Sequence, residues 1–280
     1  MKVRKYFIYI LILTLSLLTV KSRAENVAGR LYHDVTPDPG KDSIIYNYGI
    51  HIDTTGIIIL PPSLGIQFYK NGIIFLSSSK YERKMVPEHI SFGKTEAYYA
   101  EADDSLMEKR KLFTPAGSFT FPCESVTFTN DFRTMYFTKY SKKQDVEKIF
   151  KTDYIERGKK SYWKIEKKPL LFCTDEYNYM HPALSYDGSM MVFSSDRPDQ
   201  AGGMNLFLTR KVNDQWAEPE NISNLINTDG DELFPFLDRD NNLFFSSNGH
   251  KGYGGYDIYM CRFDGTNWDS VVNLSDMINS

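Results

Sequence analysis

Apolar and polar positions along this chain fall into a pattern that repeats. Met190-Met191-Val192-Phe193 is an apolar run closed by Ser194-Ser195, and the Phe-Ser-Ser step returns after 52 residues at Phe245-Ser246-Ser247. A strand with one wet face alternates apolar and polar side chains. An unbroken short apolar run predicts instead a strand covered on both faces. The same offset relates Gly203-Met204-Asn205-Leu206-Phe207 to Gly255-Tyr256-Asp257-Ile258-Tyr259 and Trp216 to Trp268. It also relates Asn221-Ile222-Ser223 to Asn273-Leu274-Ser275 and Ile226-Asn227 to Ile278-Asn279. Pro182-Ala183-Leu184 also has a counterpart in Pro235-Phe236-Leu237. So many coincidences mark a structural repeat of about 50 residues.

Two weaker copies lie upstream. Thr127 to Thr138 aligns with Ala183 to Ser194, Ile149-Phe150 with Leu206-Phe207, and Trp163 with Trp216. All three tryptophans thus share one repeat position, which predicts equivalent, largely buried blade residues. Trp268 is expected to matter least, because no repeat follows its own. The first copy runs from Gln67 to Ser78, with Ala97-Tyr98-Tyr99-Ala100 as its third strand and no Trp.

Each copy predicts four strands. The first two are joined by a tight turn, at Asn71-Gly72 and Asp187-Gly188, where residues that tolerate positive φ suit a hairpin. The third follows Gly202-Gly203 or Gly254-Gly255, and the fourth begins at the Trp. Four strands per repeat, in tandem, predict an all-β chain: a β-propeller of four-stranded blades over 61–280, with repeats at 65–120, 121–175, 176–228 and 229–280. Residues 25–60 stand apart. Asp38-Pro39-Gly40 is a turn signal, and Ile44-Ile45-Tyr46 and Ile57-Ile58-Ile59-Leu60 are candidate strands for closing the ring. The alternatives are four or five blades, or an open arc, which would leave buried-type edges bare.

The N-terminus has another character. Lys2, Arg4 and Lys5 precede an apolar run from Tyr6 to Val20, followed by small residues at Ser22 and Ala24. This is the layout of a secretory signal peptide over 1–24, cleaved after Ala24. The run is shorter than the roughly 20 residues of a membrane span. No Cys near the cleavage point suggests a lipid anchor, and no transmembrane span is expected in the mature chain. Losing the leader takes the formal charge from −3 to −8, since the leader holds five basic and no acidic residues. An acidic exported chain is a poor nucleic-acid binder. The charge is uneven: residues 174–280 hold 17 Asp/Glu against 6 Lys/Arg, while 25–173 carry a net +3. Cys123, Cys173 and Cys261 fit neither a disulfide framework nor a zinc site, and read as small hydrophobes in strands.

Ser185-Tyr186-Asp187-Gly188 followed by Phe193-Ser194-Ser195-Asp196-Arg197-Pro198 resembles the WD40-like, or PD40, repeat. Gly252 to Tyr259, with Trp268 and Asn273-Leu274, is similar to the variant common in exported proteins of Bacteroidetes. The stronger resemblance covers 180–280 and the weaker one 65–179. It implies the propeller part of OmpA-family or TolB-like envelope proteins, or of outer-membrane components of the type IX secretion system. The implied location is the periplasm or the outer membrane. The sequence ends at Ser280 on a repeat boundary, with no OmpA-like segment and no helical repeat domain before the propeller, so peptidoglycan binding is not carried over.

Asp196-Arg197-Pro198 and Asn248-Gly249-His250 fall in equivalent loops after the second strand. A binding face there would combine Asp196, Arg197, Asn248, His250 and Lys251; Asp and Asn also simply cap sharp turns. Asp238-Arg239-Asp240-Asn241-Asn242 hints at a calcium loop, but lacks the Gly and distal Glu of that motif and reads as a polar turn. Asn221 and Asn273 open formal glycosylation sequons. The basic stretch Lys159 to Lys168 reads as a solvated face, or as a contact for acidic lipopolysaccharide or a partner. No hydrolase, metalloprotease or phosphate-loop motif is present, and the five His lack metal-ligand spacing. The expectation is an exported, non-enzymatic scaffold or binding module that docks a protein or cell-envelope partner, with no catalytic, metal or cofactor site. The alternative is a carbohydrate-active lyase or hydrolase whose residues come from distant loops.

Overall fold

A computed structural model of the chain describes residues 63–78, 95–101, 110–113, 125–141, 143–198, 202–276 and 278–279. Ala24, Cys123 and the candidate closing strands at 44–60 lie outside them. The described residues form strands, turns and irregular segments, with no helix long and apolar enough to cross a membrane.

Among the described residues, seventeen strands make four antiparallel sheets. The first contains β1 (Ser63–Tyr69), β2 (Gly72–Ser78), β3 (Thr95–Glu101) and β4 (Arg110–Leu112). The second contains β5 (Val126–Phe128), β6 (Thr134–Ser141), β7 (Val146–Arg157) and β8 (Lys160–Ile165). The third contains β9 (Tyr179–Leu184), β10 (Met190–Ser195), β11 (Asn205–Val212), β12 (Gln215–Trp216) and β13 (Glu220–Asn221). The fourth contains β14 (Glu232–Leu237), β15 (Leu243–Ser247), β16 (Asp257–Phe263) and β17 (Trp268–Asn273). Each sheet is a meander and lies within one sequence repeat. The fourth strand of the third blade is split because Pro219, between β12 and β13, has no N–H for the ladder.

The four blades are arranged as a β-propeller. Consecutive blades pack first to second, second to third and third to fourth, with the inner strands β1, β5, β9 and β14 in succession. No comparable packing joins the fourth blade to the first among the described strands. The unbroken apolar run of β10 follows from this stacking. Met191 and Phe193 face the second blade with Tyr136 and Ile149. Met190 and Val192 face the fourth with Leu237, Leu243 and Phe245. Both faces of the sheet are interfaces, so neither alternate set of side chains can be polar.

Polar bonds stitch the inner strands. Thr127 Oγ1 accepts from Gln67 Nε2 of the first blade at 3.3 Å and from the Leu184 N–H of the third at 3.3 Å. Thr138 Oγ1 accepts the His181 N–H at 3.0 Å. The first strands of the third and fourth blades bulge at His181-Pro182 and Phe234-Pro235, where His181 and Phe234 take φ of 54° and 53°. A proline that cannot donate is accommodated at such a bulge. The two bulge rings lie with centroids 3.8 Å apart across the blade interface.

Two sequence expectations change here. The first hairpin turns at Lys70-Asn71, with φ of 54° at Lys70, and Gly72 already pairs with Tyr69. Gly72 is required for close approach: a Cβ there would sit 2.2 Å from the Ala100 carbonyl oxygen. The tryptophans are equivalent in position but not in burial. Trp163 and Trp216 are only partly buried, whereas Trp268 is 6% exposed. Each reaches back toward the blade before its own: Trp163 to Phe113 (centroids 5.5 Å), Trp216 to Tyr136 (5.7 Å), and Trp268 into the cluster holding Met190 and Leu208. The missing following repeat therefore does not weaken Trp268.

Candidate functional site

An up-and-down blade has two ends. The turns joining its first to second and third to fourth strands emerge at one, the hairpin face. The second-to-third loop and the connection to the next blade emerge at the other, the loop face. The residues singled out in the sequence, Asp196, Arg197, Asn248 and His250, lie on the loop face.

There they are occupied within the fold. Asp196 accepts the Asn178 N–H at 2.7 Å and its side-chain N–H at 2.6 Å, while Asn178 Oδ1 accepts the Glu147 N–H of the second blade at 2.9 Å. The next blade repeats the device with acid and amide exchanged. Asn248 Oδ1 accepts the Asp231 N–H at 2.7 Å, and Asp231 Oδ1 accepts the Met204 N–H of the third blade at 3.0 Å. Each pair clasps its blade to the one before. Arg197 donates to Glu218 at 2.8 Å and lies over the Phe207 ring at 5.6 Å. His250 Nε2 meets the Ile226 carbonyl at 2.8 Å, and its ring packs on Tyr259 and Phe245. Lys251 is exposed. No hydrogen bond or ion pair joins the Asp196-Arg197 loop to the Asn248-His250 loop among the described residues.

The loop face also holds Glu232, fully buried at the start of β14. Its carboxylate accepts from Thr228 N at 2.9 Å, Thr228 Oγ1 at 2.6 Å and Ser247 Oγ at 2.7 Å. Asp231 accepts the Tyr256 hydroxyl at 2.6 Å, and burial together with that carboxylate pushes the phenol pKa up. Burial pushes the Cys173 and Cys261 thiols up to about 12, so both are packing residues and not nucleophiles. No group of three or more His, Cys, Asp or Glu able to hold a metal ion occurs among the described residues. Asp238, in the segment with a calcium hint, accepts the Asp240 and Asn242 N–H groups at 2.9 and 2.8 Å, as a turn-forming carboxylate does.

The hairpin face carries a feature the sequence reading missed. Asn130, Tyr186 and Arg239 occupy one repeat position, in the first hairpin of three successive blades. Arg239 donates to the Tyr186 hydroxyl at 3.2 Å, and its guanidinium lies 4.9 Å from the centre of that ring. The Arg239 hydrogen bond, with the Asn130 amide beside it, holds the Tyr186 phenol below its usual range. Tyr186 is nonetheless 43% exposed. Beneath it, Asp187 accepts from Ser185 Oγ at 2.6 Å and from the Ser189 N–H at 3.0 Å, and these bonds lower its carboxyl pKa. The turn that presents Tyr186 is thereby rigid. The available signal was an aromatic side chain at the tip of a predicted turn.

No family model matches the chain, and no curated protein matches it in sequence. Solved structures do match. An α-L-arabinofuranosidase from Lactobacillus brevis matches over 79% of this chain and 76% of its own, at 12% identity and a TM-score of 0.45. The β-propeller domain of the Trilobed protease from Pyrococcus furiosus, described as having an open velcro topology, matches over 77% and 52%, at 12% identity and 0.36. A puromycin-hydrolyzing peptidase from Mycobacterium tuberculosis matches over 74% and 28%, at 13% identity and 0.38. The chain thus spans 28% and 52% of the two peptidase chains. The structures it resembles are mostly propeller hydrolases, and this overturns the expectation that the chain is not an enzyme. At these identities the likeness is one of fold, and the strand pairing itself gives four blades of a β-propeller among the described residues.

Proposed function

We propose that this propeller is an exported docking module of the cell envelope, of the PD40-like kind, whose hairpin face receives a protein partner. The observation that carries the reading is the Tyr186–Arg239 pair, exposed across two blades. Tyrosine and arginine dominate binding hot spots, since each offers a large contact area with a polar end. Here the guanidinium is already held over the ring, so little side-chain freedom remains to be lost on binding. The loop-face residues support the same choice from the other side, because their polar groups are engaged in holding blades together. The signal-peptide layout ending at Ala24 and the PD40-like motifs at Ser185–Pro198 and Gly252–Tyr259 support export to the periplasm or outer membrane.

The test is capture of a partner from envelope fractions by immobilised chain, with Tyr186→Ala/Arg239→Ala beside the wild type. Loss of a hot spot of about 2 kcal/mol corresponds to roughly thirtyfold weaker binding. Equal capture by the double variant would remove the hairpin face from consideration.

A further inference from the structure

The hairpin face is divided by charge. In the second blade β7 outruns its neighbour: Thr134 pairs with Asp153, the Tyr154 N–H bonds the Arg133 carbonyl at 2.7 Å, and beyond that point Ile155 to Arg157 pair with β8 alone. The overhanging ribbon ends in Arg157 opposite Lys160, with Lys159 in the turn. All three cations are exposed, and none makes an ion pair among the described residues. Tyr162, opposite Ile155 on the same ribbon, is 40% exposed. Lysines on an outermost strand such as β8 also discourage edge pairing. Lys159 sits in the turn, outside either strand, where there is no strand edge to protect.

The corresponding tip of the third blade has the opposite sign. There β11 ends at Val212, which is 59% exposed, and the turn is made by Asn213 and Asp214, both at positive φ. Asp214 is exposed and makes no ion pair among the described residues. Asp240 is exposed at the first hairpin of the fourth blade, and Asp264 at its second. One half of the face thus offers cations around an exposed tyrosine. The other offers Asp214 beside an exposed valine, with Asp240 and Asp264 on the next blade.

We propose that this face is complementary to itself, and that two copies of the chain pair face to face about a twofold axis. The second-blade tip of one copy (Arg157, Lys159, Lys160, Tyr162) rests on the third-blade tip of the other (Val212, Asp214). An isologous contact of this kind forms twice in each dimer. Opposite charges meet at both places, and Tyr162 covers Val212. An anionic membrane plane fits less well, because the acidic half of the same face would be held against it. The inference rests on the hairpin face being a docking surface, and it names a second copy as the occupant.

Sedimentation equilibrium of the purified chain tests it. At low ionic strength the mass should be that of two copies, falling toward one in molar salt as the charges are screened. Arg157→Glu/Lys159→Glu/Lys160→Glu should be monomeric, and so should Asp214→Lys/Asp240→Lys. A mixture of the two folded variants should form a heterodimer, because one tip contact then keeps its native signs and the other is restored with signs exchanged. Lys143→Glu/Lys168→Glu/Lys251→Glu makes the same change in net charge outside the hairpin face and should not prevent pairing through the two tips. A monomeric wild type at low salt overturns the proposal, as does failure of the mixture to pair while both variants keep native circular dichroism. Tip-dependent sedimentation of monomeric chain with vesicles of equal parts phosphatidylglycerol and phosphatidylcholine overturns it in favour of a lipid surface. If the wild type is monomeric but Tyr186→Ala/Arg239→Ala still loses envelope capture, self-pairing alone fails and the docking reading stands.

Discussion

Replacing Trp268 with alanine is expected to destabilise the chain by about 3–5 kcal/mol, the range for removing a large aromatic from a packed core. The loss should exceed that at Trp216 or Trp163. Trp268 belongs to the cluster joining the third and fourth blades, beside Met190, Leu208, Leu243 and Cys261. Its Nε1–H donates to the Asn241 carbonyl at 2.8 Å, tying the outer strand β17 to the hairpin between β14 and β15. Trp216 instead lies half open, edge-on to Tyr136 and under the Lys211 ammonium at 5.0 Å. A half-exposed ring has less apolar surface to return to water, and solvent can fill part of the space it leaves. Urea unfolding of the three alanine variants measures the order. A larger loss at Trp216 than at Trp268 would contradict the packing of the last two blades.

Glu232→Ala should be comparably severe, at about 3 kcal/mol or more. Hydrogen bonds to a charged acceptor are worth about 1.5–3 kcal/mol each, and donors left unsatisfied in the interior add their own penalty. Three donors converge on this carboxylate: the Thr228 N–H, the Thr228 hydroxyl and the Ser247 hydroxyl. The first two belong to the connection from the third blade and the last to β15, so one side chain fixes the entry of the chain into the fourth blade. Space is tight around it, since a Cβ at Gly249 would lie 1.8 Å from Thr228 Oγ1. Glu232→Gln should recover only part of the loss, because its amide nitrogen would face a donor. Denaturant midpoints of the two variants check this. A loss within the ±0.5 kcal/mol usual for surface positions would mean the network is not formed.

The blades were legible because stacking imposes the same burial on every copy. Phe193 and Phe245, or Leu206 and Ile258, occupy the same interface position and must stay apolar. Gly203 must stay glycine, since a Cβ there would meet the Gly230 carbonyl oxygen at 2.2 Å. Contacts between blades left no such trace. The clasps pair Asn178 with Asp196 and Asp231 with Asn248, and exchanging acid for amide between copies conceals their equivalence. The hairpin of the fourth blade is one residue shorter than that of the third, so the inner strands follow an offset of 53 and not 52. That shift separates His181 from Phe234 in a fixed-period comparison, although both form the same bulge. The Tyr186–Arg239 pair was hidden for a related reason. Its members share one repeat position but differ chemically in each blade, and they meet only when two blades stand side by side. Trp268 was underrated because sequence order suggests that a blade is held by the one after it, whereas each Trp packs toward the one before.

The central claim is that partners meet the hairpin face and not the loop face. It is tested most directly by photo-crosslinking in living cells from two positions: a benzoylphenylalanine in place of Tyr186 on the hairpin face, and one in place of the exposed Leu225 on the loop face. The ring at 186 preserves the aromatic surface, and both side chains reach solvent. Covalent adducts from position 186, weakened by Arg239→Glu, with none from position 225, are the predicted result. Adducts from position 225 alone would contradict the account.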